Sequence, residues 1–417
     1  MKNYYMMFGE DKSLYTELPV DIDTFIEDDH YIGKETRNGQ SIYPFWRQRL
    51  REMFDPEHPN KYREMFCATA IGTGKTRATL IAFTYTLYCY MCLRNPNEFF
   101  KFSSSKDTLA FVIASVGKTQ FGIPQNTFLD FVMHSPWFKS HGSFTYKKDI
   151  HGGTRDIPDS YVPFSNIEII YASSNDDILG VQVMCAYTGH ECERYNGKDT
   201  YELYNNLKSR ISSRSCIDHV YYGRMFTDFE LTNDETNINI VKMQQSIGDV
   251  LSVNGPQFII KPQGTFDYRD SFYIAYDGIY GHSKIISKDD FSCCQELVDG
   301  GWKFICCPIN TLEYAKLEPD LFLLHMCGIQ LSVPKKRMSL VKAFEELMDG
   351  NAIMEDNEYV FYALDENGFI ASYDVETNKK IEQTKFVFDR YNDLELLLYS
   401  SNWISFPNPV NNNNSET

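Results

Sequence analysis

The sequence predicts an α/β fold: a mostly parallel central sheet flanked by helices, followed by a smaller mixed α+β C-terminal region. Three observations predict it. From about residue 61, short apolar runs alternate with helix-like segments, the pattern of parallel strands joined by crossover helices. A glycine-rich turn, IGTGKT, separates the first of these runs from the first long helical segment. The length of 417 residues, with 43% hydrophobic and 23% charged residues, provides core for two or three domains rather than one.

The elements run in order along the chain. Residues 1–60 begin acidic (DIDTFIEDDH) and turn basic and aromatic (YPFWRQRLREMF), so they read as an arm that packs on the domain after it. Strands are expected at 65–68, 109–114, 167–172, 181–187 and 224–229, where apolar and β-branched residues cluster. Helices are expected at 75–93, stopped by Arg94-Asn95-Pro96, and at 127–133 and 199–210. After Asn254-Gly255-Pro256 the sequence becomes aromatic and turn-rich, which places a boundary near 262. The string VFYALDENGFIASY at 360–373 holds two β-rich runs around Asn367-Gly368, a hairpin signal. These readings divide the chain into an arm (1–60), a central domain (61–262), a linker or lid subdomain (263–350) and a hairpin-containing region with a disordered NNNNSET tail (351–417).

Charge and cysteine content exclude several classes. Forty Lys and Arg against 57 Asp and Glu leave a net charge of −17, so any nucleic-acid contact must be a local basic patch. Arg47, Arg49 and Arg51, and Lys335-Lys336-Arg337, are the available runs, and a basic run of this length is more often a solvated face than a phosphate contact. The sequence has no run of roughly 18 apolar residues and its start lacks signal-peptide order, so a cytoplasmic location without a membrane is expected. Eleven cysteines in a chain of this size are expected as free thiols. Cys185, His190, Cys192, Cys216 and His219, and Cys293, Cys294, Cys306 and Cys307, lack the tandem spacing of a zinc site. HECER fails as a zincin helix because Arg194 stands where a second histidine is needed.

The segment CATAIGTGKT at 67–76 lies between an apolar run and an apolar helix, the context a phosphate-binding loop requires. Gly72 and Gly74 permit the backbone angles that expose amides, and the helix N-terminus adds positive potential. Lys75 can reach β and γ phosphates, and the Thr76 hydroxyl can ligate Mg²⁺. Ile71, Gly72, Thr73, Gly74, Lys75, Thr76 and Arg77 are therefore the expected nucleotide-binding segment. The alternative is a plain glycine-rich turn with a solvated lysine. One departure is visible: Thr69 stands where the motif's leading glycine belongs. A loop of this kind also needs an acid at the end of a neighbouring strand. Glu191, just past the apolar run 181–187, is the candidate for orienting the attacking water; a solvated loop carrying Glu191 and Glu193 is the bland reading. His190 precedes it where Asp is usual, and imidazole matches Mg²⁺ poorly.

Together these segments resemble the ATPase half of the large terminase subunit of tailed bacteriophages, over about residues 40–240. YPFWRQRL is similar to the family's adenine-side segment, with Trp46 and Arg47 at its centre. LRNP at 93–96, SSSKDTLAFVIASVGKTQ and HSPWF at 134–138 are similar to its next helix, strand and helix. DDILGVQVMCAYTGHECE resembles the run into the Walker B acids, placing Glu191 on the catalytic glutamate. LYNNLKSRISSRS resembles the arginine-bearing helix, with Arg210 and Arg214 on its arginines, and MFTDFELTND puts Thr227 and Asp228 at the coupling motif.

The resemblance implies an ATP- and Mg²⁺-dependent motor that packages viral double-stranded DNA into procapsids. It implies a homo-oligomeric ring on the portal protein, a small terminase subunit as partner, and residence in host cytoplasm with transient docking at the portal. Such subunits usually add a nuclease of RNase H type. Asp365 and Asp374 resemble the acids of its first strands, but about forty residues remain after them, too few to complete that fold. Two rival readings stand beside it: a helicase-like P-loop NTPase acting on nucleic acid, and a non-hydrolysing P-loop protein.

Overall fold

Strands buried on both faces read in sequence as unbroken apolar runs, and such strands form the centre of the first of two compact units. The computed structural model describes residues 4–102, 107–115, 122–146, 158–189, 199–233, 235–261, 270–277, 281–286, 294–331, 340–349, 351–355, 360–364, 370–374, 379–381 and 403–406. Every structural statement below is made of these residues. The first unit comprises Met1–Glu230 and Val241–Lys261, the second Leu231–Ile240 and Pro262–Thr417.

The strands of the first unit are, in chain order, β1 (Glu64–Cys67), β2 (Leu109–Ser115), β3 (Gly142–Thr145), β4 (Ser160–Pro163), β5 (Ile167–Ala172), β6 (Gln182–Gly189), β7 (Cys216–Ile217), β8 (Val220–Tyr221), β9 (Arg224–Asp228) and β10 (Val250–Val253). Six of them form one sheet in the order β10-β1-β9-β6-β2-β5. Every pairing in it is parallel. β3 with β4 and β7 with β8 are separate antiparallel pairs. β2 is buried from Leu109 to Ala114 and β6 from Val183 to Thr188, β9 is buried throughout although it carries Arg224, Thr227 and Asp228, and the edge strand β5 mixes buried with partly exposed residues. The chain leaves β1 toward β2 and β5, then returns to place β9 on one side of β1 and β10 on the other. That reversal makes the C-terminal end of β1 the crevice where open α/β sheets bind ligands.

The strand and helix expectations hold in kind, and the differences lie at the ends. Helix Gly122–His134 begins five residues before the expected 127 because Pro124 falls in its first turn, where a missing N–H costs nothing. Helix Asp199–Arg214 runs one turn past 210, since Ile211 is buried and no Gly or Pro intervenes. β6 extends to Gly189 because Thr188 and Gly189 still pair with Thr227 and Asp228. β10 has no counterpart among the expected strands; as a four-residue edge strand it has too few residues to show a period.

Helix Lys75–Met91 is buried from Ala78 to Met91, and a helix apolar all round must be covered on every side. One side meets the sheet. Another is covered by Phe128 against Phe83 and Trp137 against Tyr88, and the N-terminal arm adds aromatic rings: Tyr5 and Phe25 against Tyr85, Phe25 and Tyr31 against Tyr88, and Phe8 against Tyr90. The buried hydroxyls are satisfied: Tyr85 donates to the Val20 carbonyl at 2.6 Å and Tyr88 accepts from the Val20 amide at 3.0 Å. Each fully buried ring or large aliphatic of this kind contributes about 1.5–3 kcal/mol.

The second unit contains β11 (Ser271–Tyr276), β12 (Ser283–Ile286), β13 (Lys303–Pro308), β14 (Ala352–Glu355), β15 (Val360–Leu364), β16 (Ile370–Asp374) and β17 (Trp403–Phe406). They form two antiparallel sheets, β12-β11-β13 and β16-β15-β14-β17. Leu364 pairs with Ile370, so β15 and β16 make the expected hairpin, and its turn lies outside the described residues.

Candidate nucleotide site

The loop after β1 is pinned from both sides. Ala68 and Ala70 amides donate to the carbonyls of Val253 and Gly255, and the Phe229 amide donates to the Cys67 carbonyl. Gly72 and Gly74 take φ of 71° and 82°, the left-handed region that favours glycine. A Cβ on Gly72 would also sit 3.1 Å from Gln257 Nε2. Two carbonyls of the loop are held by side-chain donors: Gln257 Nε2 donates to Ile71 at 2.8 Å, and Trp46 Nε1 to Thr73 at 2.6 Å. With those carbonyls satisfied from outside, the loop's amides remain for an anion. Thr69, which replaces the usual leading glycine, is buried and hydrogen-bonds Thr73 Oγ1 at 2.7 Å, while Thr73 Oγ1 donates to the Ala70 carbonyl at 3.1 Å. Its hydroxyl fixes the loop from within.

Lys75 and Thr76 open helix Lys75–Met91 and both meet Asp228, the last residue of β9. Thr76 Oγ1 donates to Asp228 Oδ2. Lys75 Nζ donates to the Phe229 carbonyl at 2.7 Å and stands 3.6 Å from Asp228 Oδ1. Asp228 is 8% exposed, and these donors meet a carboxylate that is otherwise enclosed. The reason for the meeting is topological: β9, not β6, is the neighbour of β1, and Cys67 pairs with Asp228. A hydroxyl and a carboxylate on one spot are hard oxygen donors, which fits Mg²⁺. Sequence reasoning placed Asp228 at a coupling motif and missed this contact, because strand adjacency is not written locally.

Three expected nucleotide residues are placed elsewhere. Trp46 is 1% exposed, lies behind the loop and supports Thr73, so no face of its ring is open to a base. Arg47 pairs with Asp23 and Glu27, and Arg77 donates to the Glu35 carbonyl with its guanidinium over the Phe131 ring. Burial, opposed by Glu35 and Asp130, holds the Arg77 pKa below its ordinary value. Half-buried Tyr43 also lies beside the loop, its Cε2 3.8 Å from the Cβ position of Gly74, the same distance as Trp46 Nε1. In the basic run beside Trp46, Arg51 pairs with Asp23 and Arg49 with Glu52.

Glu191, His190 and Glu193 lie outside the described residues, as do Asp365 and Lys335-Lys336-Arg337. β6 ends at Gly189, and its parallel alignment with β9 and β1 puts its C-terminal end at the same edge of the sheet. Arg210 is half-buried and Arg214 exposed on helix Asp199–Arg214. Among the described residues no group of three His, Cys, Asp or Glu side chains could hold a metal ion, and no helix is long and apolar enough to cross a membrane.

Solved structures similar to the chain include three large terminases. The HK97 bacteriophage large terminase matches at 11% identity and TM-score 0.41, over 84% of this chain and 66% of its own. The Thermus phage P74-26 large terminase ATPase domain, in a point-mutant form, matches at 10% and 0.33, over 50% and 81%. A large terminase from a thermophilic bacteriophage matches at 11% and 0.33, over 85% and 73%. The chain thus spans just under two thirds of the HK97 protein, and scores at this level carry no structural argument. No curated protein matches the sequence. The family model described as "Uncharacterized protein MJ0330, N-terminal P-loop domain" matches residues 3–280. With two thirds of its length inside that match, and a pinned glycine loop opening onto Lys75, Thr76 and Asp228, the chain belongs to this P-loop family.

Proposed function

We propose that the chain binds and hydrolyses ATP with Mg²⁺, and that hydrolysis drives double-stranded DNA into a phage procapsid. One observation carries the enzymatic half: Lys75 and Thr76, at the mouth of a pinned loop, converge on the buried carboxylate of Asp228. The packaging half is supported by the order of sequence segments shared with large terminases, from YPFWRQRL to MFTDFELTND.

In this reading the amides between Ile71 and Thr76 receive the phosphates. The Lys75 ammonium, held near the loop by the Phe229 carbonyl, offers its remaining protons to the terminal phosphate. Thr76 and Asp228 would hold Mg²⁺, which when bound neutralises charge on the phosphate oxygens. Glu191 would orient the attacking water from the end of β6, and Arg210 or Arg214 would reach the developing charge in the same or a neighbouring subunit. The motor would act as a ring on the portal protein with a small terminase subunit, in host cytoplasm.

Purified protein assayed for ATP turnover with and without double-stranded DNA tests both halves. Turnover that rises with DNA and disappears in Lys75→Ala is expected. Turnover retained in Lys75→Ala rejects the site, tight ATP binding without turnover at any DNA concentration favours a non-hydrolysing protein, and strand separation favours a helicase-like one.

A further inference from the structure

Glu64 is a buried carboxylate, 2% exposed, to which the nucleotide reading gives no role. It opens β1, the strand that leads into the phosphate loop. Tyr204 OH and Thr227 Oγ1 donate to its Oε1 at 2.7 and 3.1 Å, and Lys208 Nζ donates to its Oε2 at 2.8 Å. A second rank stands behind them: Gln244 Nε2 donates to Tyr204 OH at 2.7 Å, and Thr188 Oγ1 to Thr227 Oγ1 at 3.2 Å. These chains of hydrogen bonds all end on one negative charge. They tie β1, β6 and β9 to helix Asp199–Arg214 and to Gln244 of helix Glu235–Ser246.

A carboxylate buried this deeply costs desolvation that an apolar residue of similar volume would not, so its placement is the informative feature. Thr227 immediately precedes Asp228, and neighbouring strand residues point to opposite faces. Asp228 thus meets Thr76 and Lys75 on one face of the sheet while Thr227 meets Glu64 on the other. Tyr204 and Lys208 sit one turn apart on the helix that also carries Arg210 and Arg214, roughly 120° around its axis. Packed interiors resist sliding, but a cavity of about 260 Å³, lined by Glu64, Lys208, Ile211, Ser215, Met225 and Val250, leaves space along this flank of the helix.

We propose that Glu64 is a positioning residue that couples nucleotide occupancy at Thr76 and Asp228 to the position of helix Asp199–Arg214, and so to its arginines. The inference rests on the nucleotide reading. When phosphate and metal compete for Lys75, Thr76 and Asp228, the end of β9 adjusts, Thr227 moves with it, and the shift reaches Tyr204 and Lys208 through the shared carboxylate. Because Glu64 accepts from all three donors, an uncharged side chain there removes the charge that faces the half-buried Lys208 ammonium and leaves it only longer contacts to Tyr204 OH at 3.3 Å and Gln244 Oε1 at 3.4 Å.

The test uses the full chain with Glu64→Gln and the double variant Glu64→Gln/Lys208→Met, since the single change removes the ion-pair partner of Lys208 and can fail to fold. Two quantities are measured: ATP turnover, resolved into kcat and KM, and hydrogen exchange of residues 203–212 with and without ATPγS. In wild type the analogue is expected to slow exchange of these amides about fivefold or more. The folded double variant is expected to keep KM within about threefold, to lose about tenfold in kcat, and to show no exchange response. A double variant that keeps both wild-type kcat and the exchange response overturns the inference while the nucleotide site stands. A wild type that binds no nucleotide overturns the nucleotide reading, and this inference with it.

Discussion

At the residue scale, the site divides into groups whose roles are local and groups whose roles depend on the fold. Lys75 and Thr76 come directly after the glycine loop, so the sequence names them directly. Asp228 is 152 residues from Thr76, and only strand order brings the two together. Trp46 shows the converse: the sequence places it near the nucleotide, yet its indole N–H serves the Thr73 carbonyl from behind the loop. Two substitutions separate these roles. Asp228→Asn keeps an acceptor for Thr76 but removes the charge that a cation needs. Turnover should fall on the order of 100-fold, and affinity for a fluorescent ATP analogue should lose its Mg²⁺ dependence while binding in EDTA is retained or tightened. Equal weakening with and without Mg²⁺ would show that Asp228 only shapes the loop. Trp46→Phe deletes one buried donor and leaves the Thr73 carbonyl without it, a cost of about 1–3 kcal/mol in urea unfolding. It should weaken nucleotide binding more than it changes turnover at saturation, because it loosens the cradle without touching the reacting phosphate.

At the scale of elements, the arm packs on helix Lys75–Met91 through aromatic rings, and two of its own helices, Ile22–Glu27 and Pro44–Met53, are joined by charge. Asp23, on helix Ile22–Glu27, receives hydrogen bonds from Arg47 and Arg51. Burial pushes the Asp23 pKa up, but hydrogen bonds and charge from Arg51 and Arg47 outweigh it and hold the carboxyl below its ordinary value of 3.8. A depressed folded pKa stabilises the fold above the unfolded value, and that stability is lost as pH falls through the folded one. The arm should therefore loosen only below about pH 4. Asp23→Asn should cost about 1 kcal/mol near neutral pH, with the difference from wild type vanishing in strong acid. Thermal melts of both proteins from about pH 7 down to roughly pH 2.5 check it, and a gap that persists at the acid end would assign the loss to packing instead. The same helices show why element kind was legible and element ends were not. The apolar stripe of helix Gly122–His134 is visible in sequence, whereas its start depends on whether Pro124 ends a helix or opens one.

At the scale of the whole molecule, the parallel sheet was legible because strands buried on both faces carry short apolar runs, even where β1 and β9 also bury Glu64, Thr227 and Asp228. The second unit was less so. Its strands are short, antiparallel and aromatic, and their partners are distant in sequence: β14 pairs with β17 about fifty residues later. Period-2 patterns over four or five residues say little about such pairings. The division into two units nevertheless yields a test of where nucleotide acts. A ligand that binds only the folded state stabilises it by about 2.7 kcal/mol at 100 times its Kd, and that gain belongs to the unit holding the site. Of the four tryptophans, Trp46 and Trp137 lie in the first unit, Trp302 and Trp403 in the second. Trp302 carries a buried indole N–H without an acceptor, so Trp302→Phe removes a liability rather than a bond. In the variant Trp302→Phe/Trp403→Phe, fluorescence reports on the first unit alone. ATP with Mg²⁺ should raise its melting temperature by about 5–10 °C, and Lys75→Ala in the same background should cancel the rise. Unequal effects of ATP on the two units locate the site, since a unit without it gains nothing directly from mass action. A first-unit transition that ignores ATP, beside a second-unit transition that responds, would move the nucleotide away from Lys75, Thr76 and Asp228 altogether.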